Sequence, residues 1–334
     1  MIESAYHLGC ETEDWLAGLL CSIARVLSCA PRGAAAIYDA TSPNWVHISS
    51  LVQRDLPPAF LAEAFNQPPA SEAHARGLVN LYRTGMFGSV IDRVTPYVPA
   101  YTELLRRFEM DDAAVIIAAD PTWSGTLFAL PTARRNDSPR TRYVWRKIMA
   151  HLAAGLRLRR LLGHAAFSRS VPVEHAEAVL SPQGKIEHAR GDASTRDGRE
   201  ALRDALTRID AARAAASEDR AEHAIELWRG LISGRWSLAE HFERDGRRYF
   251  VAFRNDPQFA KQRALSPREL QVLSYRRMGC SNKLIAYSLG LSQTSVVKYL
   301  GRAREKLGGK SALDALQSLL PTSAQPRDFE GPTS

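Results

Sequence analysis

The sequence predicts an α+β fold over most of its length and a separate all-α unit at its C-terminal end. In the first part, short apolar runs typical of strands alternate with longer runs at helical spacing. From about residue 265 only helical spacing remains, with a helix start or stop signal at each junction. A chain of 334 residues is long enough for two or three such units.

The composition describes a folded chain and excludes several classes of protein. Hydrophobic residues make up 45% and charged residues 24%, as in ordinary globular domains. Charged residues interrupt every apolar run before it reaches the about 18 to 20 residues of a membrane span. The first twenty residues contain acidic side chains but no Lys or Arg, unlike a secretory signal. We therefore expect a cytoplasmic protein without a membrane partner.

Neither catalysis nor metal binding is indicated. Cys10, Cys21, Cys29 and Cys280 contain no C-x-x-C spacing, so we expect reduced thiols rather than disulfides or a zinc site. The chain also lacks the G-x-S-x-G, H-E-x-x-H, dinucleotide-binding and calcium-loop motifs. The sequence thus predicts no enzyme activity and no cofactor.

Residues 10–163 are predicted to form an α+β unit that begins and ends with a helix. The first helix covers Thr12 to Leu27, and the last extends from its N-cap Ser138 to about Leu162. Predicted strands lie at residues 33–38, 45–51, 113–119 and 126–130, with a helix at 58–65 and a loop-rich stretch after it. Such a unit is able to enclose a pocket on one face of an antiparallel sheet.

The order of these elements, with the turn from Asp120 to Gly125 before the last strand, resembles GAF domains. This resemblance implies a small-molecule sensor or a dimerisation unit. A covalent bilin chromophore is not expected, because none of the three N-terminal cysteines precedes a histidine.

The last helix of this unit is rich in arginine. We expect these side chains to form a solvated face. The apolar stripe of the same helix gives a further hypothesis, namely that it packs against its copy in a second chain. The arginines are Arg140, Arg142, Arg146, Arg157, Arg159 and Arg160.

Residues 171–257 are predicted to form a smaller α+β unit. Turn signals at Ser181 to Gly184 and at Asp245-Gly246 each join two strand-like runs into a hairpin. Helices are predicted at residues 199–215 and 219–232. Two hairpins around inserted helices resemble a PAS-like sensor domain, and a spacer that positions the next unit is the alternative.

Residues 262–320 carry the signals of a helix-turn-helix. Ser266 and Glu269 form a capping box that starts a first helix, with Pro at its first position, and Gly279 ends it. Gly290 supplies the tight turn between the next two helices.

The second and third helices have their own start signals. Ser281 or Asn282 caps the second, and Ser292 caps the third. The core stripe of the third helix consists of Val296, Leu300, Ala303 and Leu307.

Positive charge is concentrated in this unit. Residues 265–320 contain nine basic and three acidic residues, a net charge of +6 within a chain total of +8. Such a compact basic unit attracts a polyanion, as nucleic-acid-binding domains do.

The motifs along this unit are similar to those of the LuxR/GerE family of four-helix DNA-binding domains. They are Leu-Ser-Pro-Arg-Glu at 265–269, Gly-x-Ser-Asn-Lys-x-Ile-Ala at 279–286, Leu-Gly-Leu-Ser at 289–292, Val-x-x-x-Leu at 296–300 and Lys-Leu-Gly at 306–308. The resemblance implies a transcription regulator that binds double-stranded DNA as a homodimer, pairing through a fourth helix at about residues 311–320.

The resemblance also assigns roles to residues of the helix-turn-helix. Base reading falls to Val297, Lys298 and Gly301; Lys298 would donate to guanine, Val297 would contact a thymine methyl, and Gly301 offers no side chain. Tyr299 stands where the family usually has His, and Arg277 where it usually has a small residue. The candidates for contact with the DNA backbone are Lys283, Ser292, Thr294, Arg302 and Lys306.

The sequence therefore predicts a one-component regulator in which a sensor-like N-terminal half controls a DNA-binding domain. RNA polymerase is a candidate partner, and residues 321–334 are expected to be a disordered tail. Three alternatives stay open: a sigma-like initiation factor, an enzyme tethered to DNA, and an N-terminal half that only dimerises without binding a ligand.

Overall fold

The computed structural model describes residues 1–7, 9–133, 138–162, 176–217, 224, 227, 232–233, 236–242, 248–254 and 265–306. The linker before residue 265, the predicted fourth helix at 311–320 and the predicted tail at 321–334 lie outside these residues.

An antiparallel sheet of five strands forms the centre of the N-terminal half. Its strands are β1 (Gly33–Asp39), β2 (His47–Arg54), β3 (Met86–Ser89), β4 (Asp112–Ala119) and β5 (Ser124–Thr132), in the order β2-β1-β5-β4-β3. All neighbouring strands are antiparallel, and β5 lies between β1 and β4. The four strands predicted from the sequence are confirmed.

Helices cover both faces of this sheet. They are α1 (Ile2–Ala5), α2 (Thr12–Val26), α3 (Pro58–Phe65), α4 (Glu72–Thr84), α5 (Val90–Arg93), α6 (Ala100–Arg107) and α7 (Pro139–Leu162). Successive residues of a strand point to opposite faces. On β1, Ala35 and Ile37 join a hydrophobic cluster with α1, α2 and α7, whereas Ala36 and Tyr38 join a second cluster with α3 to α6.

The stretch between α3 and β4 is not loop-rich, contrary to prediction. It contains α4, β3, α5 and α6. The helix signals are present in the sequence: Ser71 caps α4, Gly85 with a φ of 71° ends it, and Ser89 caps α5. The edge strand β3 has only four residues, all buried, so it shows no alternation from which to recognise it.

The exit helix α7 packs against the sheet of its own chain. Ile148, Leu152 and Leu156 are buried in the same cluster as Phe128 of β5. The hypothesis that this apolar stripe pairs with a second chain is therefore wrong, because the stripe is already covered.

The expected solvated face of α7 is only partly present. Arg140, Arg146 and Arg160 are exposed. Arg159, however, is 5% exposed and donates hydrogen bonds to the backbone carbonyl oxygens of His7 and Cys10. The prediction is wrong at Arg159 because the segment around α1 folds back over this end of α7.

A second antiparallel sheet repeats the strand order of the first. Its strands are β6 (Ala178–Leu180), β7 (Ile186–Ala189), β8 (Ile232–Ser233), β9 (Trp236–Phe242) and β10 (Arg248–Arg254), in the order β7-β6-β10-β9-β8. In both sheets the fifth strand lies between the first and the fourth. The helix α8 (Arg196–Ser217) follows the first hairpin of this sheet. A continuous hydrophobic cluster joins α2 and α7 to β9 and β10.

Both predicted hairpins of this middle unit are present as strand pairs. The Asp245-Gly246 turn and most of the predicted helix at 219–232 lie outside the described residues. The mixed α+β class is confirmed. The GAF-like and PAS-like identities and the domain boundaries stay predictions.

The C-terminal part of the described chain is helical, as predicted. It consists of α9 (Pro267–Arg277), α10 (Asn282–Leu289) and α11 (Gln293–Lys306). None of the helices within the described ranges is long and apolar enough to span a bilayer.

Candidate nucleic-acid interface

The start of α9 has the predicted capping box. The Ser266 hydroxyl oxygen accepts a hydrogen bond from the backbone N–H of Glu269 at 3.3 Å, and the Glu269 carboxylate accepts one from the backbone N–H of Ser266 at 2.7 Å. Both atoms of this reciprocal pair satisfy N–H groups that have no partner within the helix. The helix ends before Gly279, whose φ of 77° favours glycine.

Local signals mark both ends of α10. The hydroxyl of Ser281 accepts a hydrogen bond from the backbone N–H of Leu284 at 3.3 Å, so Ser281 and not Asn282 is the N-cap of α10. Gly290 ends the helix in the left-handed conformation, with φ 62° and ψ 31°. Ser281 therefore marks the start of α10, and Gly290 allows the tight turn that leads into α11.

The buried side of α11 anchors it to the other two helices. Ser292 caps its first turn by accepting a hydrogen bond from the backbone N–H of Ser295 at 3.0 Å. Val296 and Ala303 are fully buried; Val296 packs with Val272 of α9 and Ile285 of α10.

The predicted base-reading residues share the opposite, exposed side of α11. Val297 is a large apolar side chain that is 56% exposed, and Lys298 beside it is also exposed. Gly301 lies one turn further along, where a Cβ atom would meet nothing within 4 Å. An exposed apolar residue next to an exposed cation is suited to the major groove, where it can contact a thymine methyl beside a guanine acceptor.

The residues predicted to contact the DNA backbone differ in their exposure and in whether their side chains already have partners. Thr294 and Arg302 are exposed on α11. The hydroxyl of Ser292 is engaged in the cap. The side chain of Lys306 lies outside the described residues. Lys283 is exposed at the start of α10, but its Nζ atom lies 4.9 Å from the ring centroid of Tyr143 in α7. The DNA-binding roles of these residues stay predictions.

One departure from the family pattern acquires a structural explanation. The guanidinium carbon of Arg277 lies 3.8 Å from the ring centroid of Trp123, in the hairpin between β4 and β5. Arg83 of α4 lies 4.2 Å from the same ring. Burial, together with the nearby charge of Arg83, lowers the pKa of Arg277 to about 10. Sequence reasoning missed Trp123, and its only signal was the unexpected arginine.

Tyr299, the other departure from the family pattern, is half-buried against the core of the helix-turn-helix.

The N-terminal half contains a second candidate site, an apolar cavity of about 80 Å³ between the sheet and helices α3 and α6. Leu51 and Phe65 also line it and are 40% and 41% exposed, which places its opening between β2 and α3. Its walls include Phe60, Tyr82, Tyr101, Leu105, Val115 and Leu127.

The polar atoms near this cavity are already engaged. The Tyr101 hydroxyl donates a hydrogen bond to the carbonyl oxygen of Ala64 at 2.8 Å, and burial raises the pKa of Tyr101 to about 12. The carbonyl oxygen of Tyr82 accepts a hydrogen bond from the Tyr38 hydroxyl at 2.8 Å. The cavity therefore suits a small apolar molecule better than a charged one.

Metal binding finds no support within the described ranges, which contain no group of three or more His, Cys, Asp or Glu residues able to hold an ion. None of the four cysteines forms a disulfide, and all four are half-buried.

Comparison with known proteins agrees with the geometry of the C-terminal part. The family described as "Bacterial regulatory proteins, luxR family" matches residues 263–319. No curated protein matches the chain significantly. Among solved structures, "SdiA in complex with octanoyl-rac-glycerol" is similar at 11% identity and a TM-score of 0.27, covering 93% of this chain and 89% of that one.

Proposed function

We propose that the chain is a sequence-specific, one-component regulator of transcription, in which residues 263–319, the luxR-family helix-turn-helix match, are the DNA-binding domain. Its N-terminal half senses a small molecule, and its C-terminal domain reads DNA. The observation that carries this proposal is the exposed side of α11, where Val297, Lys298, Gly301 and Arg302 face solvent together.

The charge distribution supports DNA as the partner. The helix-turn-helix carries nine basic and three acidic residues between positions 265 and 320. Lys298 and Arg302 lie on adjoining positions of the exposed helical surface, so one can reach a base edge while the other reaches a phosphate.

The test is DNA binding by the full chain. A random double-stranded oligonucleotide pool, selected on the purified protein without RNA polymerase, should yield an enriched sequence. Lys298→Ala should change the base preference, and Arg302→Ala should weaken binding to all sequences. Arg199→Ala, on the exposed side of α8, serves as the matched control and should change neither. An absence of enrichment would overturn the proposal, and enrichment that needs RNA polymerase would favour the sigma-like alternative.

The apolar cavity supports ligand sensing by the N-terminal half. A cavity lined by aromatic and aliphatic residues, with its polar atoms internally satisfied, binds small apolar molecules by removing their surface from water. An N-terminal half that only dimerises has no need of such a cavity.

Thermal unfolding separates the two possibilities. A ligand present at a hundred times its dissociation constant adds about 2.7 kcal/mol of stability. Among probes such as 1-octanol and benzyl alcohol, at least one should raise the melting temperature of the wild type. Ala129→Leu adds a larger side chain to the cavity wall and should abolish that rise. If no probe acts, or if the variant responds equally, the dimerisation alternative is favoured.

Dimerisation and contact with RNA polymerase complete the proposal. Two copies of the helix-turn-helix would read the two halves of an inverted repeat. Sedimentation of the protein on a selected DNA site should show two chains per site. Because the proposed partner is genomic DNA, the protein acts in the part of the cell that contains the DNA.

A further inference from the structure

The second helix of the DNA-binding domain is buried on both sides. All residues from 284 to 289 are buried, which exceeds what a three-helix unit can cover by itself. Ile285 and Leu289 pack inside the domain. Tyr287 and Ser288 are as deeply buried on the other side, where α10 contacts α7 of the N-terminal half. The N-terminal half therefore covers the outer face of α10.

A buried chain of hydrogen bonds crosses this contact. The hydroxyl of Tyr6 lies 2.9 Å from Nδ1 of His151, and the hydroxyl of Tyr287 lies 2.9 Å from Nε2 of the same ring. His151 has no exposed surface, and both tyrosines are 4% exposed. A neutral imidazole has one donor and one acceptor nitrogen, so it satisfies both hydroxyls at once.

Cations and aromatic rings flank that chain. The ring centroid of Tyr143 in α7 lies 4.9 Å from Nζ of Lys283 and 4.4 Å from Nζ of Lys147. At the other edge, the ring of Trp123 is contacted by Arg277 at 3.8 Å. Trp123, Tyr143, Lys147 and His151 together are called the docking surface below. It receives the DNA-binding domain through cation–π contacts and one shared histidine.

Lys283 has one observed contact, with Tyr143, and one predicted contact, with a DNA phosphate. In the described structure its ammonium group lies over the Tyr143 ring. A contact with a DNA phosphate requires a distance of about 2.7 to 2.9 Å between the ammonium nitrogen and a phosphate oxygen, in a different direction from the ring. A phosphate that draws the ammonium group away from the ring gives up the cation–π contact, so the two interactions compete.

We propose that the N-terminal half is itself a binding partner of the DNA-binding domain, held through the docking surface, and that Tyr143 competes with DNA for Lys283. This inference rests on the proposed function in that it takes DNA as the competing partner. To that function it adds the docking surface, the ring of Tyr143 as the competitor and Lys283 as the cation for which ring and DNA compete.

The contact between Arg277 and Trp123 makes the docking of the DNA-binding domain specific to the N-terminal half of the same chain. The luxR-family pattern usually has a small residue at the position of Arg277, which could not reach the hairpin that carries Trp123. The indole also lies between two positive charges, Arg277 and Arg83, so its electron-rich face offsets their mutual repulsion. The arginine of the DNA-binding domain thus matches a site present on its own N-terminal half.

The docking itself is tested without DNA. Cys280 lines a cleft of about 170 Å³ along the seam, together with Leu284 on one side and Met149 on the other. Burial raises the pKa of the Cys280 thiol to about 11, which suppresses its reaction with alkylating agents. Separation of the two parts should expose this thiol.

Iodoacetamide labelling of Cys280, followed by mass spectrometry, is the measurement. Arg277→Ala and Trp123→Ala should each raise the labelling rate at least threefold, while labelling of Cys21 in the same sample stays unchanged. Arg277 is only half-buried, so Arg277→Ala remains informative if Trp123→Ala fails to fold. Equal Cys280 rates in wild type and Arg277→Ala would overturn the docking.

The competition is tested by a double-mutant cycle on DNA binding. Tyr143→Ala should tighten binding to a selected DNA site about two- to fivefold, as the loss of one exposed cation–π contact allows. Tyr143→Phe keeps the ring and should bind as the wild type does. In a Lys283→Ala background, Tyr143→Ala should have no effect.

Salt dependence identifies the phosphate contact. Lys283→Ala should reduce the slope of log affinity against log salt concentration by about 0.9. An unchanged slope, or an equal effect of Tyr143→Ala with and without Lys283, would overturn the competition. If no variant binds DNA at all, the proposed function fails, whereas the Cys280 labelling still decides whether the docking exists.

Discussion

The phenol oxygen of Tyr287, in the second helix of the DNA-binding domain, lies 2.9 Å from Nε2 of His151, in the exit helix of the N-terminal half. The two residues are 136 positions apart in the chain, and both are buried. The hydrogen bond ties the orientation of α10 to a helix that packs directly on the first sheet. Because α11 follows α10 after a tight turn, the position of the exposed side of α11 depends on this contact.

Acidification should weaken the folded state through His151. Burial lowers the pKa of His151 from 6.5 to about 3, so the folded chain keeps it neutral while the unfolded chain protonates it below pH 6.5. Its contribution to stability is therefore complete above pH 6.5 and is lost as the pH falls toward 3, at up to about 1.4 kcal/mol per pH unit.

His151→Gln is the matched control, since glutamine also has a donor and an acceptor but does not titrate. Urea unfolding at pH 7.5 and pH 5 should show a loss for the wild type that exceeds that of the variant by about 2 kcal/mol. Arg157, on the same helix, stays charged throughout this range because its pKa is raised. Parallel losses in both proteins would contradict the assignment.

Gly301→Ala should stabilise the DNA-binding domain. The glycine lies inside α11 with open space around it, so the added methyl group meets no neighbour. Replacing a mid-helix glycine by alanine is worth about 1 kcal/mol. Thermal unfolding should record the gain. Gly301→Gln should in addition change the base preference, because glutamine can bind adenine in the major groove.

Gly155→Ala should have the opposite effect in α7. A Cβ atom there would lie 2.1 Å from the carbonyl oxygen of Ala5, because α1 crosses α7 at this residue. The clash exceeds the helix-propensity gain and should cost about 1 to 3 kcal/mol. Urea unfolding of Gly155→Ala and Gly301→Ala shows whether each substitution lowers or raises the free energy of unfolding. A gain at both would show that α1 is not held against α7.

Loss of the capping box should destabilise α9. Ser266→Ala removes the oxygen that accepts the Glu269 N–H, at a cost of about 1 kcal/mol. Ser266→Asp retains an acceptor at the same place and should unfold at nearly the wild-type temperature. A matching loss in both variants would mean that the cap does not support the helix.

The helix-turn-helix could be predicted in detail because its signals are local. Ser266, Glu269, Ser281 and Gly290 act on residues within four positions of themselves, so their spacing alone indicates where helices begin and end. Only the choice between Ser281 and Asn282 as N-cap needed the structure.

The failures of sequence reasoning concern contacts between distant parts of the chain. The arginine-rich pattern of α7 does not tell which side the segment around α1 will cover, so the burial of Arg159 was missed. The same reason applies to Lys283, whose neighbour Tyr143 is 140 residues away. The residues predicted to face DNA do lie on one exposed surface, but the sequence does not show that a ring of the same chain reaches one of the predicted cations.

The shared strand order of the two sheets has a consequence for synthesis on the ribosome. In each sheet the last strand enters between two that are already present, so the first sheet closes once Thr132 has left the exit tunnel. Domains fold in the order in which they are translated. The nascent C-terminal helices therefore emerge after the N-terminal half, beside a finished scaffold that already displays the tryptophan and tyrosine rings they contact.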